Sequence, residues 1–273
     1  MTASVLAFRH RWKNSLIFSI FAVLNLALVV PVFFGNTIAP AGAVKVKAVV
    51  INVEGENSRF ELVDRFVRES KADIILFEEV NRKWFTRLKL YKSMFPYVAH
   101  SLREDNFGIA LFSRYPLVRS EIVPLGIARF PSIFVDVEIG GRVLRVLGTH
   151  APPPVCQKFF IMRNYHFSQL PLVLAKQLEL DANSAGTNKS TVLMGDLNAS
   201  PWCHYYRRLT RETGLYNSSR GHGIFPTWHA RKPPFMIPID HVLLSPDLVC
   251  TKKRIGPYIG SDHLPVLVDI AIP

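Results

Sequence analysis

Cysteine is scarce in this 273-residue chain. There are three, Cys156, Cys203 and Cys250, dispersed and without a Cys-x-x-Cys pair. That excludes a zinc framework and a disulfide-rich scaffold, and leaves room for one disulfide in an oxidising compartment. No cysteine or serine nucleophile motif is present. Internal repeats, low-complexity tracts and interior linkers are also missing, so the body does not read as a solenoid or an array. Acids are in short supply: 21 Asp and Glu stand against 33 Lys and Arg, a net charge of +12. Such a balance favours anionic partners, whether nucleic acid, anionic lipid or phosphorylated small molecules, without choosing among them. Hydrophobic residues make up 49%, enough for a substantial core in one large domain or two small ones.

The longest absence is of charge. From Asn14 to Val44 there is none, and the apolar heart, Leu16 to Phe34, is 19 residues. At about 1.5 Å per residue that nearly matches a hydrocarbon core of roughly 30 Å. Arg9, Arg11 and Lys13 precede it. Their charge predicts a cytoplasmic N-terminus, a single-pass anchor in the cytoplasmic (inner) membrane and an extracytoplasmic body. The alternatives are a signal cleaved near Ala39-Pro-Ala41 or Ala41-Gly-Ala43, giving a secreted protein, and a buried helix. Residues 1–43 thus form an N-terminal segment and 44–273 a body. The body's 30 basic and 21 acidic residues leave it at +9 on its own.

In the body, strands and helices alternate. VKVKAVVIN (44–52) reads as a strand ending on Asn52, and Arg59 to Ser70 as an amphipathic helix. ADIILFEEV (72–80) is an apolar strand ending in two acids. Trp84 to Met94 reads as helical and Gly108 to Ser113 as a strand, turned by Arg114-Tyr115-Pro116. Ser132–Ile139 and Arg142–His150 form a hairpin on Gly140-Gly141. Val155 to about Leu180 is helix-rich, with a break expected near Pro171, and 181–190 reads as a polar loop. TVLMGD (191–196) is a strand, 202–213 a helix and 218–238 a long irregular segment. Ile239–Leu244 and Leu264–Ile270 are the last strands. Strand–helix–strand units in both halves, with antiparallel hairpins between, predict an α/β fold of two packed sheets flanked by helices.

Polar residues gather at the strand ends: Asn52, Glu78-Glu79, His150, Asp196 with Asn198, Asp240-His241 and Asp262-His263. Each alone suits a turn or a structural histidine. Together they are placed where α/β sheets put ligand chemistry, and all are expected at C-terminal ends. Oxygen donors of this kind suit Mg²⁺ or Mn²⁺ and not zinc. Carboxylates with histidine, and no protein nucleophile, point to metal-assisted attack by water.

The segments Asn52, DIILFEEV, GIALFSRYP, GTHAPPP, GDLNASPW, PIDHVLLS and GSDHLPV resemble the endonuclease/exonuclease/phosphatase superfamily, in its motif order, from residue 44 to the end. The resemblance implies a four-layer α/β sandwich and a divalent-metal-dependent phosphodiester or phosphomonoester hydrolase. It implies Glu79 as metal ligand, with Asn52 and Asp262 on the metal side. Asp196 would orient or deprotonate water and Asn198 would position it. His263, oriented by Asp240, would meet the scissile phosphate, and His150 would help the leaving group. Glu78 departs from the frequent Gln; it is a second acid near the ion or a bystander. Arg114 is a phosphate contact or a plain surface residue. Trp202, Tyr205, Tyr206, Phe225 and Trp228 are candidates to stack on bases, to meet lipid, or simply to pack, with Trp228 the one assigned to substrate. The substrate is nucleic acid or, alternatively, a phospholipid head group. A tethered phosphate-binding domain without turnover is the other class. A monomer is expected.

Overall fold

A computed structural model describes residues 12–183 and 189–273. Arg9, Arg11 and residues 184–188 of the expected polar loop lie outside the described residues. Helix α1 (Trp12–Val29) continues as a 3-10 turn (Val30–Phe33), with no buried residue in either. The 22 residues Trp12–Phe33 contain an 18-residue window of mean hydropathy 2.6, and are long and apolar enough to cross a membrane.

The first half of the body runs β1 (Val44–Asn52), α2 (Phe60–Ser70), β2 (Ile74–Glu78), α3 (Arg82–Leu88), β3 (Tyr97–Ser101), β4 (Ile109–Ser113), β5 (Leu117–Leu125), β6 (Phe130–Ile139) and β7 (Arg142–Thr149). Then come α4 (Gln157–Asn183), β8 (Ser190–Asp196), α5 (His204–Thr213), β9 (Tyr216–Asn217), β10 (Asp240–Leu244), β11 (Val249–Ile255) and β12 (Val266–Ile272). One sheet has the order β11-β12-β1-β2-β4-β3 and the other β5-β6-β7-β8-β10-β9. Each holds one parallel pair, β1 with β2 and β7 with β8, among antiparallel neighbours.

Strand alternation makes the layers. From β1, Val46, Ala48 and Val50 enter the core between the sheets, with Leu76, Val135, Val146, Met194 and Val242. Val49 and Ile51 face the other way, against Phe66 and Val67 of α2 and Trp84 and Leu88 of α3. On the far side Leu147 and Leu193 pack under Phe167 and Leu170 of α4 and Leu209 of α5. The result is the expected four-layer α/β sandwich of two packed mixed sheets flanked by helices, preceded by one apolar helix.

Two expectations change. Helix α4 runs unbroken through Pro171. The missing N–H costs one helical bond, but Phe167, Leu170 and Leu174 anchor the turns on either side in the core, and tertiary packing holds the helix together. The helix expected over 84–94 stops at Leu88 and tightens into a 3-10 turn, Lys89–Tyr91. The three cysteines are free, with Cys156 exposed and Cys250 buried.

Away from the polar strand ends of the second sheet, on its interior strand β7, Arg145 is 1% exposed. Its guanidinium bonds Asp136 at 3.1 Å and Asp181 at 2.6 Å, and Lys189 adds a 2.8 Å contact to Asp136. This network joins α4 to β6, β7 and the start of β8. Arg145→Ala is expected to destabilise the body by about 3–5 kcal/mol, because two buried carboxylates lose their fork-shaped partner. Urea denaturation measures this, and turnover per folded molecule should not change.

Candidate active site

Parallel and antiparallel pairing together bring the polar strand ends to one edge. Asn52 and Glu78 are register partners at the ends of β1 and β2. Asp196, the last residue of β8, pairs with Asp240, the first of β10. The expectation that every polar residue sits at a C-terminal strand end is therefore corrected. Asp240 opens β10, and Asp262 and His263 precede β12; antiparallel strands deliver their beginnings where β1, β2, β7 and β8 deliver their ends. His241 points the other way, its Nε2 2.8 Å from the Ala199 carbonyl and its ring against Tyr206.

Asp196 is the centre of the arrangement. It is 1% exposed. Its Oδ1 accepts the Asn198 backbone N–H at 2.8 Å, and its Oδ2 accepts the Asn198 side-chain amide at 3.2 Å. His150 Nε2 lies 3.5 Å and His263 Nε2 3.7 Å from the same Oδ2. Asn198 adopts φ 48°, which turns its amide back onto Asp196 and onto the Ala151 carbonyl at 2.8 Å. Gly195 makes this turn possible: at φ 145° a Cβ would stand 2.0 Å from the Thr149 carbonyl oxygen.

Two imidazoles flank Asp196. Asp240 holds His263 Nδ1 at 2.9 Å, leaving Nε2 toward the cleft. Burial alone would favour the neutral ring, but Asp240 and Asp196 outweigh it and push His263 up to about 10. His150 is likewise buried, and Asp196 and Glu78 raise it to about 9. Both rings thus carry a proton at neutral pH. Glu78 is not in the cleft. It is fully buried behind Asp196, whose backbone N–H lies 2.9 and 3.0 Å from its two oxygens. Burial raises its carboxyl well above the usual range. Glu78 supports the turn that carries Asp196.

Glu79 occupies the opposite side, at φ 59°. Its carboxylate accepts the Asn52 side-chain amide at 3.0 Å and the Gly55 N–H at 3.2 Å. Asn52 is therefore a holder of Glu79. Asp262 accepts the Trp228 indole N–H at 2.8 Å. A cleft of about 420 Å³ joins Glu79, His150, Asp196, Asn198, Trp228, Asp262 and His263. Asp240 lies behind His263. Arg114 is not brought here: it follows Ser113, whose register partner is Ile74 at the far end of β2, and it stacks on Phe95. Of the other aromatics, Tyr206 is core, Phe225 lies under Lys253, and Trp202 donates to the Leu28 carbonyl of α1 at 3.3 Å.

The structure adds residues that were not singled out. Glu54 lines the cleft, accepts the Asp262 N–H at 3.1 Å and pairs with Arg231 at 3.0 Å. Its position two residues after Asn52 was the available signal. Asp105, Phe107 and Phe159 complete the cleft from loops and α4. No local pattern marks them.

A divalent cation fits the donor set. Glu54, Glu79, Asp105, Asp196 and Asp262 crowd the cleft with carboxylates, which would repel a phosphoryl group unless a cation stood between. Among the described residues, Asp196, Asp240 and His263 form the one group of three donors within 4.8 Å. Asp240, however, is already engaged by His263. Glu79, held from two sides by N–H donors in a cleft lined by further carboxylates, suits a hard cation better. Such ions need one or two carboxylates and retain water, so a tight protein cage is not required.

A family model for the endonuclease/exonuclease/phosphatase family matches residues 49–263. The chain belongs to that family. No curated protein sequence matches it. Among solved structures it is similar to an endonuclease/exonuclease/phosphatase from Beutenbergia cavernae, with TM-score 0.67 and 17% identity, over 84% of this chain and 72% of that one. D. rerio TDP2 complexed with single-strand DNA product gives TM-score 0.65 and 15% identity over 83% and 98%. Sphingomyelinase C from Streptomyces griseocarneus gives 0.58 and 15% over 84% and 100%.

Proposed function

We propose that residues 44–273 are a Mg²⁺-dependent phosphodiesterase, with Mn²⁺ as a substitute, acting on nucleic acid. The observation that carries it is the convergence of two buried histidines on the Asp196 carboxylate, across one cleft from Glu79. A bound cation would supply Lewis-acid stabilisation of charge on the phosphoryl oxygens. Asp196 takes a proton from the attacking water, and the Asn198 amide positions that water. His263, kept charged by Asp240, donates Nε2–H to a phosphoryl oxygen. His150 donates to the leaving oxygen. A leaving-group donor is what a diester of an alcohol requires at neutral pH. The +9 charge of the body suits a polyanion, as does the DNA product on the similar TDP2 fold. The sphingomyelinase likeness favours a second reading, a phospholipid head group as substrate.

We further propose that residues 1–43 anchor this body in the cytoplasmic membrane with the cleft outside, rather than being cleaved for secretion. Support comes from the apolar length of α1 and the basic residues before it. A reporter fused after Pro273 should be active only outside the cytoplasm.

The substrate test is a panel of plasmid DNA, RNA, sphingomyelin, phosphoinositides and bis-p-nitrophenyl phosphate. DNA or RNA is expected to turn over fastest. Exhaustive chelation should abolish turnover and Mg²⁺ should restore it; unchanged hydrolysis after chelation would overturn the mechanism.

A further inference from the structure

We propose that the junction of α1 and the body is a binding site for the head group of an anionic phospholipid. This rests on α1 spanning a bilayer. The C-terminal end of α1 lies on the body: Trp202 donates to the Leu28 carbonyl at 3.3 Å, and the Gly221 N–H donates to the Val32 carbonyl at 2.9 Å. A cleft of about 400 Å³ opens between them. Leu28 and Val32 form its apolar side, and Trp202, Arg207 and Arg211 its polar one.

The chemistry of that cleft is one-signed. Arg207 and Arg211 stand four apart on α5, so they share one face, an arrangement that repels unless an anion sits between. Both are exposed. Among the described residues neither has a carboxylate partner, whereas Arg208 beside them is paired with Glu212 at 2.6 Å. Arg220 lines the neighbouring cleft with Asn36, extending the basic surface along the segment that leaves α1. The body meets α1 from Leu28 onward, so the part of α1 free to span a bilayer is Trp12 to Leu28, about 25 Å at 1.5 Å per residue, and Leu28 to Phe33 then lie at the level where acyl chains give way to head groups. An indole with one bonded N–H and an apolar body suits that level. Arginines at the same depth meet lipid phosphates, with guanidinium forks matched to phosphate oxygens. The apolar side then takes the upper acyl chain, and the arginines take the phosphate.

The test uses full-length protein in nanodiscs of phosphatidylcholine, titrated with brominated phosphatidylglycerol or brominated phosphatidylcholine. Quenching of tryptophan emission is read in a Trp12→Phe background. The expected result is quenching at a roughly tenfold lower fraction of the anionic lipid. Arg207→Gln with Arg211→Gln should bring the two curves together, and the double Lys replacement should retain part of the difference. Turnover of bis-p-nitrophenyl phosphate should not change in either variant. Identical curves for the starting protein would overturn the site. Loss of the difference on adding glycerol 3-phosphate would mean a free phosphate ligand and would also overturn it. Extraction of the protein from vesicles by alkaline carbonate would instead overturn the spanning helix on which the site depends.

Discussion

Asp196→Asn is expected to lower kcat by about three to five orders of magnitude on whichever phosphodiester the panel identifies, with the fold intact. Removing a group that acts on the reacting atoms in a preorganised site has an effect of this size. The substitution keeps the shape and the 2.8 Å contact that Oδ1 accepts from the Asn198 N–H, and gives up only the 3.2 Å contact, since the new NH₂ cannot accept the Asn198 side-chain amide. It removes the charge that His150 and His263 share, and the base for water. Both imidazoles then lose the partner that helps keep them protonated. Thermal denaturation should show little change, since β8 and its neighbours are untouched. A folded Asp196→Asn protein turning over at the original rate would reduce the Gly195–Asn198 turn to a structural element.

The second large effect concerns the histidines as a pair. His263→Ala and His150→Ala are each expected to lower kcat by about 10²–10⁴, and the double variant by far less than the product. Both rings act on one phosphate through one carboxylate, so their losses cannot be independent. Asp240→Asn should cost less than His263→Ala, because it alters only the tautomer and charge of a ring that remains. The pH dependence follows from the same geometry. Raised values mean protonated donors below them, so turnover should hold through neutrality and fall as pH rises through about 9, where His150 loses its proton first. Stability gained from these charged rings is likewise complete below the ordinary histidine value and is lost on the same rise. A rate that instead climbs through that range would mean that neither ring acts as a donor.

The interior of the sandwich was legible in the sequence, and its rims were not. The strands read correctly, such as β1, β2, β7 and β8, are buried on both faces and show as apolar runs. The four overlooked, β3, β5, β9 and β11, are the four edges of the two sheets. Edge strands bury little, so their composition carries other information. β5 holds Arg119, Glu121 and Pro124, and β11 reads VCTKKRI. Charge and proline at an edge block further strand pairing, and they also erase the pattern that announces a strand. The site divides in the same way. Residues inside strand-end motifs, from Asn52 to His263, could be found because a polar residue interrupts an apolar run. Arg114 was misplaced because its motif spans a whole strand, and only the near end of β4 faces the cleft. Glu54, Asp105 and Arg231 belong to loops whose destination depends on the tertiary fold.

The connection between α1 and β1 has a consequence for how substrate arrives. Ten residues separate Phe33 from Val44, and a free chain of that length would reach about 35 Å. Such a leash would let the body swing over a hemisphere. Here the segment is fastened instead: a Cβ on Gly35 would stand 2.9 Å from the Arg220 side chain, and Gly221 is bonded back to Val32. The joint is a bracket. In a bilayer it would hold the mouth of the cleft at one height and one angle to the surface. A long polyanion would then be engaged only by strands that pass through that window, so selection among otherwise equal phosphodiesters would come from approach direction rather than from contacts inside the cleft.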